Sequence, residues 1–326
     1  MDVLTIVVAF AVLLVLTLKK FPVAIAALTA AVSLAAMNKM QVLDTLEQAY
    51  LGGMADFISS VWMVMLLGSV LSRLMDCSGA AASIAKFMME RLGVKMAVPA
   101  VILAGGLLVY GGLSTFAACY ALYPIALVIF RRADIPRCLI PGVMGAGVYT
   151  WVNMLPGCPS VTNLIPITYL HTTAMAAPVI GIAAGGLTLL LSFLYFEWEI
   201  VKARKQGEGF AADKNMEKIL HHVDEMEAEK RIPGFGRALA PMLCVAIALN
   251  VLRTDASVAM AAGILMCFVL FRKNIMGDLK KTLGKASLEA SDTMICVASI
   301  VGVGATMKIT PGFEKIVEMI LKFTET

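Results

Sequence analysis

A cluster of helix-breaking and polar residues lies within one of the most apolar parts of this 326-residue chain. The stretch NMLPGCPSVTNLIP, residues 153–166, holds three prolines, one glycine, two hydroxyl side chains and two asparagines. Proline removes a backbone donor and clashes with the preceding helical turn. In a bilayer, non-helical backbone is tolerated only where it lines protein or an aqueous cavity. The stretch therefore predicts a broken helix that can hold a small solute.

The ends of a broken helix favour anions, because free N–H groups and the positive end of the helix dipole meet there. We expect residues 156–159 to end one half-helix and residues 160–163 to cap the next half or meet a ligand hydroxyl. A second break is predicted at YGGLST, residues 110–115, where Ser114 or Thr115 can cap a following helix. Ordinary surface turns or membrane-helix kinks are the alternative. The predicted substrate-binding residues are Gly111, Gly112, Ser114, Thr115, Asn153, Pro156, Gly157, Cys158, Pro159, Ser160, Thr162 and Asn163.

Titratable residues are few near these breaks. His171, beside the broken helix, is the candidate for proton coupling. Asp56 and Asp76 begin and end an apolar span, which is typical of boundary residues. The seven cysteines form no CxxC pair, and the three histidines have no metal-ligand spacing. We therefore predict neither a metal site nor a cofactor.

The composition places these motifs in a membrane. Apolar residues make up 60% of the chain, against about 45–50% in soluble domains. The net charge of +4 is spread over loops, which favours membrane orientation over nucleic-acid binding. Lys19 and Lys20 follow the apolar run 3–18, so this run is a first membrane helix and not a cleavable signal. Further apolar segments are predicted at 21–37, 55–75, 96–130, 138–169, 172–196, 236–252, 256–271 and 287–306.

The order of these segments suggests an internal repeat. Shifting the first third of the chain by about 234 positions places Asp44 on Asp278, Gly68 on Gly302, and an amphipathic segment at 79–93 near another at 311–323. Both amphipathic segments are expected to lie along the membrane interface.

The predicted domains are a first transmembrane repeat at 1–196 (hairpin 96–130, broken helix 138–169), a charged cytoplasmic linker at 197–235, and a partial second repeat at 236–326.

Basic residues cluster on one predicted side of the membrane, which satisfies the positive-inside rule when that side is cytoplasmic. The first repeat then crosses five times, and an odd number inverts the second copy. The segment 96–130 can form two full spans or a re-entrant hairpin. The predicted fold is an all-α polytopic membrane protein, an inverted-repeat secondary transporter with a re-entrant hairpin and a broken helix, whose second repeat is incomplete.

Five ordered motifs also carry a family resemblance, strongest over residues 104–181: YGGLSTF, YPIAL, ADIPRCLIPG, LPGCPSVTNLIP and TTAMAAPVIG. They resemble the gluconate:proton symporter (gluconate permease) family. The resemblance implies a multi-pass carrier in a bacterial inner membrane that takes up gluconate or a related hydroxy-carboxylate with protons, often as a homodimer. The gluconate branch resembles LPGTPQIQN, whereas this chain has Cys158 and SVTN. That departure leaves room for a shorter hydroxy acid such as glycerate or hydroxybutyrate.

Alternatives stay open at this point. Sodium can replace the proton, because carbonyls of a broken helix can coordinate it. The chain can be one half of a carrier that needs a separately encoded C-terminal part, since family members continue through a second hairpin and broken helix. A remote alternative is an intramembrane serine hydrolase with Ser114 as nucleophile and His171 as base; a Ser114→Ala variant that loses transport but not proteolysis would separate the two.

Overall fold

The structure is a computed structural model that describes residues 2–93, 96–113, 115–160, 162–163, 172–210, 233–252, 254–277 and 279–324. Within these residues all regular structure is helical. The helices are α1 Asp2–Leu18, α2 Val23–Met37, α3 Val42–Cys77, α4 Ala80–Leu92, α5 Ala97–Tyr110, α6 Thr115–Ala133, α7 Ile140–Gly145, α8 Trp151–Met154, α9 Pro178–Lys205, α10 Phe235–Asn250, α11 Ala256–Ile275, α12 Leu279–Lys308 and α13 Pro311–Thr324.

Four of these helices, α3, α9, α11 and α12, are long and apolar enough to cross a membrane. A spanning helix needs about 20 residues, and these four have between 20 and 36. Shorter apolar helices lie at Val3–Leu18, Val23–Met37, Ala97–Tyr110 and Phe235–Leu249. The predicted class, an all-α polytopic membrane protein, is confirmed.

One compact unit comprises residues 1–63 and 288–326. In it α1 packs against both α2 and α13. Its core contains many alanines, which let helix backbones approach closely; the buried members are Ile6, Ala9, Ala27, Ala30, Ala31, Leu34, Tyr50, Val303 and Met307. Gly302 shows how close the approach is, because a Cβ there would lie 2.8 Å from the Tyr50 carbonyl oxygen.

The second compact unit comprises residues 64–287 and has two buried clusters. The first cluster is formed mainly by the end of α3 with α4, α10 and α11, and also includes the hairpin tip and Cys158. The second joins α5, α6, α7 and α9.

Helix α4 packs within the protein of this second unit. Ile84 is fully buried, and Phe87 stacks on Phe235 with ring centroids 3.8 Å apart. Ser83 Oγ donates to the Pro233 carbonyl at 2.7 Å. Two residues of the predicted apolar stripe, Ile84 and Phe87, therefore pack against protein.

Helix α9 continues past the predicted span 172–196 to Lys205, nine residues into the predicted linker. Gly207 then takes a left-handed backbone with φ of 72°, and the Phe210 N–H donates to Asp134 Oδ1 at 2.9 Å. Gly209 needs to be glycine here, because a Cβ would lie 2.6 Å from the same carboxylate oxygen. Asp134 thus ties the segment after α9 to the turn after α6, while residues 211–232 lie outside the described residues.

Candidate functional site

The predicted helix break is present after α8. Leu155 leaves the helix with extended backbone, φ of −71° and ψ of 135°, as the residue before a proline prefers. Gly157 then adopts φ of 73°, a conformation that favours glycine. Residues 155–160 contain no helix, as the sequence predicts.

The helix leading into the break is itself irregular. A π-helical turn, Ala146–Thr150, separates α7 from α8. Such turns are rare and occur often at functional sites. Thr150 has φ of −96° and ψ of −96°, and its hydroxyl donates back to the Ala146 carbonyl. The chain after α7 therefore departs from α-helix twice, first at the π-helical turn 146–150 and then at the break 155–160.

One hydrogen bond joins the two predicted breaks. The Tyr110 hydroxyl, at the end of α5, donates to the Pro156 carbonyl at 3.1 Å. The Cys158 thiol also lies near this phenol, and Leu113 and Cys158 belong to the same buried cluster. The tip between α5 and α6 thus meets the backbone of the broken helix.

Glycines allow the backbones around the break to come together. A Cβ on Gly147 would lie 2.9 Å from the Ile102 carbonyl oxygen of α5, and one on Gly106 would overlap the Trp151 ring. On the other side, a Cβ on Gly181 of α9 would lie 2.6 Å from the Met154 carbonyl oxygen. The broken helix is held between α5 and α9 at backbone contact distance.

The tip glycines form the turn and pack against neighbouring helices. The N–H groups of Gly111, Gly112 and Leu113 all donate to carbonyls at the end of α5, at 2.9 to 3.1 Å. The α-carbon of Gly111 faces the Met242 side chain of α10, and that of Gly112, with φ of 92°, faces Met260 of α11. These three N–H groups already have backbone acceptors within the turn.

The first residue of α6, Thr115, is half-buried. Ser114 lies outside the described residues, as does His171. The proposed nucleophile and base of a hydrolase, and the candidate for proton coupling, are therefore not placed by the structure.

The break offers few free backbone donors. Pro156 and Pro159 have no N–H, and the Gly157 N–H donates to the Ala174 carbonyl at 2.7 Å. Cys158 and Pro159 are buried. The Ser160 N–H and hydroxyl are hydrogen-bonded to the Cys158 sulfur, so a ligand at this point would meet mainly side-chain groups.

The polar residues after the break hydrogen-bond to the end of α8 and to one another. The Asn163 N–H donates to the Ser160 carbonyl at 3.0 Å, and the Asn163 side chain donates to the Leu155 carbonyl at 3.3 Å. The Ser160 and Thr162 hydroxyls share a hydrogen bond of 2.9 Å. Thr162 is exposed. The Asn163 side chain thus satisfies the carbonyl at the end of α8, and capping of the next half-helix by these residues stays a prediction.

Two polar atoms just before the break are buried and have no hydrogen-bond partner among the described residues: Trp151 Nε1 and Asn153 Oδ1. The Asn153 amide nitrogen is occupied, since it donates to the Tyr149 carbonyl at 2.9 Å. Asn153 belongs to the predicted set, whereas Trp151 does not. Its place in the sequence could have suggested Trp151, because it lies five residues before Pro156 in a segment without charged residues.

Formal charge is absent from these segments. Residues 96–130 contain no Asp, Glu, Lys, Arg or His, and residues 138–196 contain only His171 among these types. Among the described residues, no group of three or more His, Cys, Asp or Glu side chains is placed to hold a metal ion. Chemistry at the break therefore rests on neutral hydrogen-bonding groups, which suit recognition of a small polar solute.

Comparisons with known proteins show the family to which this chain belongs. Residues 1–310 match the family described as GntP family permease. A 170-residue segment is 37% identical to the uncharacterized transporter YxjC of Bacillus subtilis (strain 168), covering 52% of this chain and 36% of that protein. A 173-residue segment is 34% identical to the high-affinity gluconate transporter of Escherichia coli (strain K12), covering 51% of this chain and 37% of that protein. The chain thus matches little more than a third of the length of either relative. Because the family match extends over nearly all of its residues, the chain belongs to the GntP permease family, which consists of permeases and not of enzymes.

Proposed function

We propose that this chain takes part in proton-coupled uptake of gluconate or a related small hydroxy-carboxylate across the inner membrane of a bacterium. The hydrogen bond from Tyr110 to the Pro156 carbonyl carries the proposal, because it joins the hairpin tip to the broken helix in an uncharged region. Family membership and the gluconate transporter relative support the substrate class. A homodimer is the assembly that the family resemblance implies.

The proposed substrate contacts lie around this junction. Neutral groups can hold a carboxylate through hydrogen bonds and a helix start, without a buried cation. The Ser160 and Thr162 hydroxyls are suited to a substrate hydroxyl, and Asn153 Oδ1 is a buried acceptor that a second hydroxyl can reach. Gly111, Gly112, Pro156, Gly157 and Pro159 would shape this site and not contact the solute through side chains.

We further propose an inverted repeat, supported by helix bounds. An offset of 233 residues relates the first residues of α1 and α2 to those of α10 and α11, and 231 residues relates the start of α4 to that of α13. Helix α1 packs against α2 and α13 in one compact unit, and α10 packs against α11 and α4 in the other. These two sets of helices are equivalent under the offset, which supports two copies of one repeat.

The hairpin is proposed to be re-entrant. Helix α5 has 14 residues, or about 21 Å at about 1.5 Å per residue. The hydrocarbon core is about 30 Å thick, so α5 is too short to cross it alone. A re-entrant α5 and α6 place the tip, and with it the Tyr110 contact, inside the membrane.

Uptake in proteoliposomes tests the proposal. The purified chain is reconstituted, and entry of radiolabelled gluconate is measured with an imposed inward proton gradient, an inward sodium gradient, or neither. Proton coupling predicts accumulation only with the proton gradient and its loss with a protonophore; accumulation that needs sodium would assign the other ion. Unlabelled glycerate and 3-hydroxybutyrate compete if the site takes shorter acids.

The partner-dependent alternative predicts a different result. A chain that forms one part of a carrier binds gluconate in equilibrium dialysis yet accumulates none in liposomes. A chain that does neither would refute the proposed substrate. Ser160→Ala and Thr162→Val test the site. Ser192→Ala on α9 is the control, because the Ser192 hydroxyl donates to the Thr188 carbonyl of its own helix.

A further inference from the structure

Trp151 carries a buried hydrogen-bond donor that the described structure leaves without an acceptor. Leaving such a group unpaired is unfavourable, and each instance in a native protein calls for a water, an ion or a functional partner. We propose that Trp151 determines specificity at the break by donating its indole N–H to an oxygen of the bound hydroxy-carboxylate. This inference rests on the proposed function and adds a contact to the same site.

The position of the indole supports a ligand contact. Its Cε2 and Cζ2 atoms, on the ring edge that carries Nε1, lie against Gly106 of α5, where a Cβ would sit 2.7 and 2.1 Å from them. Gly106 is one helical turn before Tyr110, whose hydroxyl reaches the break. The N–H edge of Trp151 therefore lies where the hairpin and the broken helix meet.

The shortage of other donors makes this group important. The three tip N–H groups and the Gly157 N–H already have backbone acceptors, and two residues of the break are prolines. The Tyr110 hydroxyl donates to Pro156. No cation occurs in residues 138–170 or 172–196. A carboxylate at this junction needs neutral donors, and the indole N–H is one that the protein does not use.

The ring also has a packing role that a test must separate from binding. Trp151 contacts both buried clusters of its unit. Trp151→Phe keeps most of the aromatic volume and removes the N–H. A hydrogen bond to a charged group is worth enough that we expect the gluconate affinity to fall about tenfold or more, with less effect on the maximal uptake rate.

The first experiment leaves Trp151 intact. The chain has three tryptophans, so a Trp62→Phe/Trp198→Phe variant carries Trp151 as its sole indole fluorophore. Gluconate is titrated into this purified full-length variant, with sorbitol as a neutral polyol control, and radiolabelled gluconate binding is measured by equilibrium dialysis on the same sample. A saturable emission change with gluconate, at the dialysis affinity and absent with sorbitol, is the expected result.

The second experiment uses Trp151→Phe, with the exposed Trp198→Phe as matched control. The expected result is weaker gluconate binding in Trp151→Phe alone, at equal abundance and thermal stability. Gluconate that binds with no emission change from Trp151 and with unchanged affinity in Trp151→Phe overturns the inference and leaves the proposed function standing. No gluconate binding by dialysis overturns the proposed substrate and this inference with it. If Trp151→Phe fails to fold, the titration of the intact indole decides.

Discussion

Removing the Tyr110 hydroxyl tests whether the hairpin tip and the helix break act as one site. Tyr110→Phe deletes the donor to the Pro156 carbonyl, a bond of 3.1 Å, and keeps the ring. Tyr110 is half-buried and packs beside the first cluster of its unit. The variant therefore changes one hydrogen bond and little of the packing.

The size of the effect follows from what the substitution leaves behind. A net hydrogen bond contributes about 0.5–1.5 kcal/mol, and an acceptor left unpaired in apolar surroundings costs about 1–3 kcal/mol. We expect the free energy of unfolding to fall by about 1–2 kcal/mol. This lowers the ratio of folded to unfolded protein by a factor of about 5–30. A unit of this size should then unfold about 2–8 °C lower.

Two measurements separate a site role from a structural one. Thermal unfolding in detergent reports the stability loss, and gluconate binding by equilibrium dialysis reports the site. The matched control is Tyr149→Phe, because the Tyr149 hydroxyl has no hydrogen-bond partner among the described residues and its ring is half exposed at 51%. If Tyr110→Phe matches Tyr149→Phe in both melting temperature and affinity, the contact does not join the two motifs, and the reasoning fails. A lower melting temperature with wild-type affinity would place the contact outside the site.

Three further substitutions test the local geometry. Gly147→Ala puts a Cβ 2.9 Å from a backbone oxygen of α5 and should lower the free energy of unfolding by about 1–3 kcal/mol, as measured by thermal unfolding. Gly145→Ala is the control and should not lower it, because a Cβ there meets no atom within 4 Å. Gly157→Ala forces a side chain onto φ of 73° and should cost about 1–2 kcal/mol; an unchanged melting temperature would contradict that. Asp134→Ala removes the acceptor of the Phe210 N–H, and hydrogen exchange at that amide should rise about fivefold, with an unchanged rate arguing against the bond.

Helix class and placement were predictable from local rules. Apolar runs of about 15 to 20 residues predicted most of the long helices, and the proline and glycine content of residues 155–160 predicted the break. Helix α9 runs nine residues past the predicted span, to Lys205, and it includes two glutamates, at 197 and 199, which are good helix formers. The amphipathic pattern of α4 does not say whether lipid or protein covers its apolar side, and the structure places Ile84 and Phe87 against protein.

The position of the helix break was predictable, but the hydrogen-bond partners around it were not. The break predicted a supply of free backbone donors, yet in the structure several of these N–H groups already have acceptors. The Gly157 N–H donates to the carbonyl of Ala174, which lies beyond the broken helix in the chain. No local sequence rule pairs these two residues, so the loss of this donor becomes visible only in the three-dimensional structure.

Trp151 was missed for a related reason. An indole in an apolar helix is normally a packing residue, and nothing in the sequence shows that its N–H lacks an acceptor. Its lack of a partner among the described residues is a property of the assembled helices α5 and α8. Trp151 therefore becomes a candidate specificity-determining residue only once the burial and hydrogen bonds of the folded chain are known.

The proposed site, with its neutral groups, predicts that substrate hydroxyls contribute to affinity in addition to the carboxylate charge. Asn153 Oδ1 is a buried acceptor without a partner among the described residues, and a ligand hydroxyl can donate to it where a carboxylate cannot. Leaving it unpaired costs about 1–3 kcal/mol, so 3-hydroxybutyrate should bind about 10–100-fold more tightly than butyrate, which has the same charge and chain length. In Asn153→Leu the acceptor is gone, and this preference should shrink while the affinity for butyrate is kept. Competition against labelled gluconate measures both acids. Equal affinities in the unmodified protein would mean that the acceptor faces no ligand, and the site would then have to be placed elsewhere along the broken helix.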